Sequence, residues 1–467
     1  MTPKDQTISI IGAGLAGSEA AYQLAQMGYK VKVFEMRPKK MTPAHKTGKY
    51  AELVCSNSFG SVASHAAPGQ LKWEAERMGS MILECAGNAK VPAGQALGID
   101  REMFADLVSK KIKSHPNIEI CEEEVLSIND IPRPTILSTG PLTSEPLAQS
   151  MLEHFGDQFL YFFDAIAPII EADTIDMNKA WIADRFDKGT GDYINCPLNK
   201  EQYYELIEAI QSSEKVEAKD FEKDTPFFEG CMPIEEMIRR GPETPRFGPM
   251  SPKGLRHPVT EERFYAVVQL RKENKEATSY NMVGFQTKMK YFEQKRIFSM
   301  IPGLENANFL KLGSIHRNMY INSTKKLSSD LSSKNDPQLF LAGQITGVEG
   351  YFESTCIGLL VAYMLNAKLC GKTFLPPPRE TALGALLYAL TGEEKDQFQP
   401  TNINFGLFPP LEKKVKKKEK RDIVLNRSRD FFNQWIKEVE TFNKIPLFIE
   451  DMAYQLKNPP CLESSPS

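Results

Sequence analysis

Residues 7–37, "TISIIGAGLAGSEAAYQLAQMGYKVKVFEMR", constrain the fold more than any other part of the chain. The apolar run Thr7–Ile11 has the length of a buried strand. A glycine turn follows, with Gly12, Gly14 and Gly17 spaced as GxGxxG. Ala20, Ala21, Leu24 and Ala25 then recur on one helical face, and Gly28 stops that helix. A second strand runs Val31–Glu35. This is a βαβ unit, and its glycines each have a physical use. Gly12 permits the tight turn, Gly14 lets backbone N–H groups reach a pyrophosphate, and Gly17 allows close helix–sheet packing. The helix N-terminus faces such phosphates with its partial positive charge. Glu35 ends the second strand, where a carboxylate accepts hydrogen bonds from ribose hydroxyls. With Ala13, Leu15 and Ala16 in the turn and Arg37 beyond the acid, these residues form a candidate dinucleotide site. A glycine-rich turn with a structural glutamate is the competing reading.

A second glycine turn recurs in "PQLFLAGQITGVEGYFESTCIGLLVAYMLNAKL", residues 337–369. A strand precedes it and an apolar helix follows. Folded back on the first unit, that helix would aim its N-terminus at a flavin ring and favour the anionic edge of the reduced form. Gly343, Gln344, Gly347, Gly350 and Tyr351 therefore join the candidate FAD site. So does Gly140, in the "STGP" turn after the strand of "PTILSTGPLTS". No second GxGxxG is present for a nicotinamide cofactor, so NADH or NADPH is expected to bind only transiently.

The 467 residues exceed the length at which a single core stops growing. The α/β pattern breaks from about Asn178 to Gly313, where prolines and glycines cluster and "RFYAVVQLR" and "YNMVGFQ" alternate like antiparallel strands. The expected architecture is α/β, a Rossmann-type FAD-binding domain (1–177 and 314–467) with an inserted α+β domain (178–313). A helix is expected at Arg101–Lys113, and a last helix carries Phe431, Phe432 and Trp435. The terminal "CLESSPS" is expected to fray.

Net charge is −3, so the whole molecule makes no electrostatic case for nucleic acid, and any basic surface is local. The eight cysteines form no CxxC, and the six histidines show no metal-ligand spacing. No apolar run is long enough to span a bilayer, and no secretory signal is visible. These features point to a reducing, cytoplasmic setting with no metal site and no membrane partner.

Two cysteines sit in unusual loops, Cys55 in "ELVCSNSF" and Cys231 in "FEGCMPIEEM". On the residues alone, each is either a small buried hydrophobe or a reactive thiol. Together with "IGAGLAGSEAA", "FEMRP", "VPAGQALGIDRE", "STGPLTS", "GPMSPKGL", "GSIHRNMYINS" and "LFLAGQITGVEGYFES", these motifs resemble the bacterial folate- and FAD-dependent tRNA (uracil-5-)-methyltransferases. The resemblance runs in order from residue 7 to about 410. It implies a one-carbon unit drawn from 5,10-methylenetetrahydrofolate, reduced with FAD and placed on C5 of the T-loop uridine at tRNA position 54. NAD(P)H would regenerate the reduced flavin. It also implies catalytic roles for Cys55 and Cys231, with Cys55 on the flavin side and Cys231 in uracil activation or proton transfer. The same chemistry on ribosomal RNA, a flavin-dependent wobble-uridine modifier, an S-adenosylmethionine methyltransferase and a non-enzymatic RNA-binding flavoprotein are the competing readings.

Further candidates are polar. His316 could stack on a pterin, with Arg317 meeting the glutamyl carboxylate or a phosphate and Asn318 beside them; a turn of solvated polar residues is the competing reading. Arg239, Arg240, Arg246, Lys253, Arg256 and His257 cluster around Phe247, which suits RNA contacts in the T-arm. The basic run Lys413–Arg421 is either a solvated face or an RNA clamp. Oligomeric state is not legible.

Overall fold

β1 (Thr7–Ile11) lies in the middle of a five-stranded parallel sheet in this computed structural model, which describes residues 6–156, 160–187, 190–216, 232–274, 276–395, 398–413, 415–416 and 419–443. α1 (Leu15–Gln26) crosses to β2 (Lys30–Phe34). β3 (Ile118–Cys121) and β4 (Thr135–Leu137) follow, and β5 (Leu339–Leu341) arrives some two hundred residues later. The order is β5-β4-β1-β2-β3, with every pair parallel. Ile10 is opposite Val33 on one side and Ile136 on the other. Strands covered on both faces read as continuous apolar runs, which is why "ISII" and "LFL" are legible as strands.

After β5, α2 (Tyr351–Leu369) packs directly on α1. Phe352 through Ala367 are all buried, as expected of a helix that is apolar on every side. The approach is close: a Cβ on Gly358 would lie 2.7 Å from Ala16 Cα. Among the described residues, no helix is long and apolar enough to cross a membrane. The helix Arg101–Lys113 has the bounds expected of it. Asp100 caps it by accepting from Met103 N (3.0 Å), and lysines fill its last turn.

The insert has its own core, built on a six-stranded antiparallel sheet. Its strands run in the spatial order Trp181–Ile182, Tyr193–Leu198, Ala266–Lys272, Ser279–Met282, Ile169–Glu171 and Phe309–Lys311. The sheet therefore begins upstream of the boundary expected at 178. Ile169–Glu171 is too short to show a period, and Ile170 alone of its three side chains is buried. Two longer strands, Leu160–Ile166 and Ser314–Tyr320, pair antiparallel where the chain leaves and re-enters the parallel-sheet domain. His316, Arg317 and Asn318 thus lie on a strand. The last helix, Lys420–Asn443, packs Trp435 and Phe432 into the first core. The tail expected to fray lies outside the described residues, as do 414, 417 and 418 of the basic run.

Buried glutamates hold distant helices in place. Glu19 on α1 accepts from Ser80 Oγ (2.8 Å), Met81 N (3.0 Å) and Ile82 N (2.8 Å), at the start of the helix Met81–Asn88. Glu74 accepts from Ala382 N and Leu383 N (both 2.8 Å) and from Ser428 Oγ (3.0 Å). It thereby joins the helices Ala67–Arg77, Ala382–Thr391 and Lys420–Asn443. Burial outweighs these donors and lifts the Glu74 carboxyl to about 7. A carboxyl raised by folding stabilises the native state fully below its unfolded value, and that contribution is lost as pH rises through about 7. Glu74→Gln should therefore lose less melting temperature than the parent protein between pH 5 and pH 8. A Tm difference between the two that stays constant over this range would show that Glu74 does not titrate there.

Candidate cofactor cleft and cysteine loop

A cleft of about 1060 Å3, partly open to solvent, lies at the carboxyl ends of the parallel strands. This is where open α/β sheets bind ligands. Gly12, Gly14, Leu15 and Ala16 form one wall, and Glu35 with Arg37 a second. The Ser138–Leu142 turn, containing Gly140, forms a third, and Gly343, Gln344 and Tyr351 close the far end. Gly12 has φ +99°, and a Cβ there would sit 2.7 Å from Ser138 O. A Cβ on Gly14 would meet nothing within 4 Å. A side chain at 14 would occupy the space in front of the α1 amides. Gly14 caps α1 with no side-chain hydrogen bond, and no acidic residue sits in the first turn, so no side chain competes there for those N–H groups.

Four candidate residues lie behind the wall rather than in it. Ala13 is fully buried, and its N–H donates to Glu35 Oε2 (3.0 Å). Gly17 packs on Gly12 O, where any Cβ would collide. Gly347 and Gly350 have φ +83° and +109°, which shape the turn into α2. Glu35 also accepts from Arg37 N (3.0 Å) and Arg37 Nε (2.9 Å). Arg37 is 3% exposed, yet its Nη1 has no hydrogen-bond partner among the described residues. Glu52 Oε2 is 3.6 Å from it. An orphaned buried donor, uncapped helix amides and an open Gly14 fit an anionic dinucleotide such as FAD.

Sequence reasoning missed Thr42 and His45, which also line the cleft and hydrogen-bond each other (2.6 Å). Burial, then the charge of Arg37, pushes His45 down to about 4, so it is neutral near pH 7. They sit in a lysine- and proline-rich loop with no period or motif to single them out.

Cys55 lies one residue past Val54, which lines the cleft. Every residue of its loop is fastened. Arg101 Nη1 donates to Leu53 O (2.9 Å) and Lys311 Nζ to Val54 O (3.1 Å). Tyr351 Oη accepts from Cys55 N (2.6 Å) and Ser56 N (3.3 Å). Asn57, fully buried, donates to Lys272 O (2.8 Å) and accepts from Asn281 Nδ2 (3.1 Å) and Arg271 Nε (3.2 Å). Four of these partners, Lys272, Arg271, Asn281 and Lys311, belong to the insert's sheet, so the loop is built by both domains.

The other candidates are spread out. Cys231 lies outside the described residues, as do the side chains of His316 and Arg317. Asn318 is 3% exposed and does not line the cleft. Arg246 is committed locally, to Glu243, to Tyr265 O (2.9 Å) and to the Tyr265 ring (3.7 Å). Arg239 pairs with Glu236 but remains 75% exposed. Arg240, Lys253 and Arg256 are exposed, and Phe247 is 84% exposed. None of the described ones lines the cleft.

Fold and cleft together define a dinucleotide-binding α/β protein with an inserted antiparallel domain and a cysteine loop where the two meet. The family model for glucose inhibited division protein A matches residues 7–373. A methylenetetrahydrofolate--tRNA-(uracil-5-)-methyltransferase TrmFO of Bdellovibrio bacteriovorus is 63% identical over 434 residues, covering 92% of this chain and 98% of the relative. Proteins of the same name from Zymomonas mobilis and Bacillus subtilis are 52% and 47% identical, each over 94% of this chain and 98% and 99% of their own. The chain belongs to this family and, within it, to the folate-dependent tRNA (uracil-5-)-methyltransferases. A crystal form of Aquifex aeolicus GidA shares the fold at 16% identity and TM-score 0.65, covering 93% of this chain and 78% of that one.

Arg37→Met should weaken FAD retention by about tenfold or more, the scale of a lost charge-assisted hydrogen bond. Titration of the apoprotein with FAD, followed by flavin fluorescence, reads this directly. An unchanged Kd would show that Arg37 serves only Glu35.

Proposed function

We propose that this chain methylates C5 of the T-loop uridine, position 54, of tRNA, using 5,10-methylenetetrahydrofolate as carbon donor and flavin as reductant. The observation that carries this reading is the tie between the cysteine loop and the cleft. Tyr351 lines the cleft, and its hydroxyl holds the backbone of Cys55. Bound FAD supplies the reducing equivalents that turn the transferred methylene into a methyl, and NADH or NADPH restores them.

The protein's own part is to activate the uracil. C5 of uracil is a weak nucleophile. Addition of a thiolate to C6 makes C5 an enolate carbon that can attack an electrophilic methylene. A base then removes the C5 proton, and the thiolate leaves C6. Cys55 and Cys231 divide these tasks, with Cys55 on the flavin side and Cys231 at C6 or the C5 proton. The cations beside Cys55 favour its thiolate form.

His316 and Arg317 are assigned to folate, with the imidazole against the pterin and the guanidinium on a carboxylate. Asn318, being buried, supports the strand that carries them. Arg239, Arg240, Lys253 and Arg256 are assigned to phosphates of the T-arm, with Phe247 available for stacking. Arg246 is held too firmly by Glu243 and Tyr265 to contribute more than shape.

Cys55→Ser and Cys231→Ser should each retain flavin but lose at least about a hundredfold in methylation, the scale of a missing acid–base or nucleophilic group. The assay uses labelled methylenetetrahydrofolate with undermodified tRNA, alongside a ribosomal RNA transcript. Label absent from position 54, or present only in ribosomal RNA, would overturn the reading. Parent-like methylation by either variant would remove that cysteine from the mechanism.

A further inference from the structure

The loop carrying Cys55 is the point where charge from both domains converges. Arg101 reaches it from the first turn of the helix Arg101–Lys113 and bonds Leu53 O. Lys311 reaches it from the last strand of the insert and bonds Val54 O. Arg271, on another strand of the insert, bonds Asn57. Against these three cations stands, among the described residues, the carboxylate of Glu273, whose Oε2 is 2.7 Å from Arg101 Nε and whose Oε1 accepts from Asn281 Nδ2 (2.6 Å). Tyr351 faces the loop from α2, and Lys46 adds its charge at Lys311. The cluster therefore holds positive charge in excess around a half-buried thiol, with Arg101 only about one-fifth exposed. Partial exclusion of water strengthens such interactions well beyond their value at an open surface.

Charge ties this excess to the sulfur. A charge on Cys55 stabilises the protonated forms of both Arg101 and Lys311. The interaction is reciprocal, so the two cations stabilise the thiolate in turn. Burial, then Arg101 and Lys46, pushes Lys311 down to about 8, opposed by Cys55 and Glu273. Lys311 thus keeps most of its charge near pH 7 and is the member of the cluster most dependent on an anion beside it.

We propose that Arg101 and Lys311, delivered from opposite domains, are positioning residues that hold Cys55 as a thiolate, so that the thiol is activated only when the insert is docked on the parallel-sheet domain. This rests on the reading of Cys55 as a working thiol and adds which residues make it one. Neither cation needs to touch substrate. They act by the field at the sulfur and by the hydrogen bonds that fix the loop.

The test is the pH dependence of Cys55 alkylation by iodoacetamide in the full-length, flavin-containing protein. The Cys55 peptide is quantified by mass spectrometry between pH 6 and pH 10. Lys311→Met should move the midpoint upward and slow alkylation near pH 7 by about tenfold, the equivalent of one pH unit. Lys311→Arg should restore the parent profile, because it returns the charge. Glu273→Gln should shift the midpoint the other way, since it removes the cluster's carboxylate among the described residues. An unmoved midpoint in Lys311→Met would overturn the proposal. So would a shift of equal size in Lys311→Arg, or a shift of the same sign in Glu273→Gln, because either means disturbed packing rather than lost charge. Alkylation reads the thiol without turnover, so failure here is distinct from failure of the Cys55→Ser methylation assay.

Discussion

The contact between α1 and α2 is the constraint on which the rest depends. It joins residue 16 to residue 358, with room for no side chain at the crossing. Small residues on both helices let the two backbones approach, and dispersion over a dry, closely packed seam then holds them. The cleft is a consequence of that seam. α1 begins beside Gly14 and α2 begins beside Tyr351, so packing the helices together brings both N-termini to the same end of the sheet. The α1 end, with no side-chain cap and no acidic residue in its first turn, leaves a place that an anionic group fills better than water.

Buried carboxylates extend the same logic to the periphery. Glu19, Glu74 and Glu235 each accept from two consecutive backbone N–H groups in a distant segment. A lone buried charge would be costly. Here the donors are amides that would otherwise be orphaned, so one side chain satisfies two groups and sets an angle between elements. For Glu74 the joined pieces are more than three hundred residues apart in sequence. The order of the α-helical layer around α2 therefore rests on polar bonds as much as on apolar area.

What could be read from the sequence follows from how local each signal is. β1, the glycine turn and α1 lie within thirty residues and carry both a period and a motif, so they are legible. The helix Arg101–Lys113 is legible because Asp100 and its last-turn lysines mark its ends. Ile169–Glu171 and the three-stranded sheet formed by Ser58–Ser61, Lys90–Val91 and Ala96–Ile99 are not, since strands of two to four residues have no measurable alternation. The cleft shows the same division. Gly12, Gly14, Glu35 and Tyr351 come from motifs, whereas Thr42 and His45 come from a loop whose path is set by tertiary contacts. Asn318, expected beside a ligand, is buried on a strand, and nothing in "GSIHRNMY" marks it as an interior residue.

Cys55 marks the limit of that legibility. Its motif is visible, but its chemical state depends on residues 101, 271, 273, 311 and 351, no two of which a local pattern would connect to it. A thiol becomes a nucleophile through its surroundings rather than its identity. Those surroundings exist only where the parallel-sheet domain and the insert meet. If one domain had supplied both cations, the thiol would be reactive whenever that domain was folded, open to oxidation and alkylation without a substrate present. Dividing them between domains makes reactivity a property of the assembled site. The hydrogen bonds that seat the insert on the loop, from Lys311, Arg271 and Asn281, are then also the bonds that prepare the sulfur.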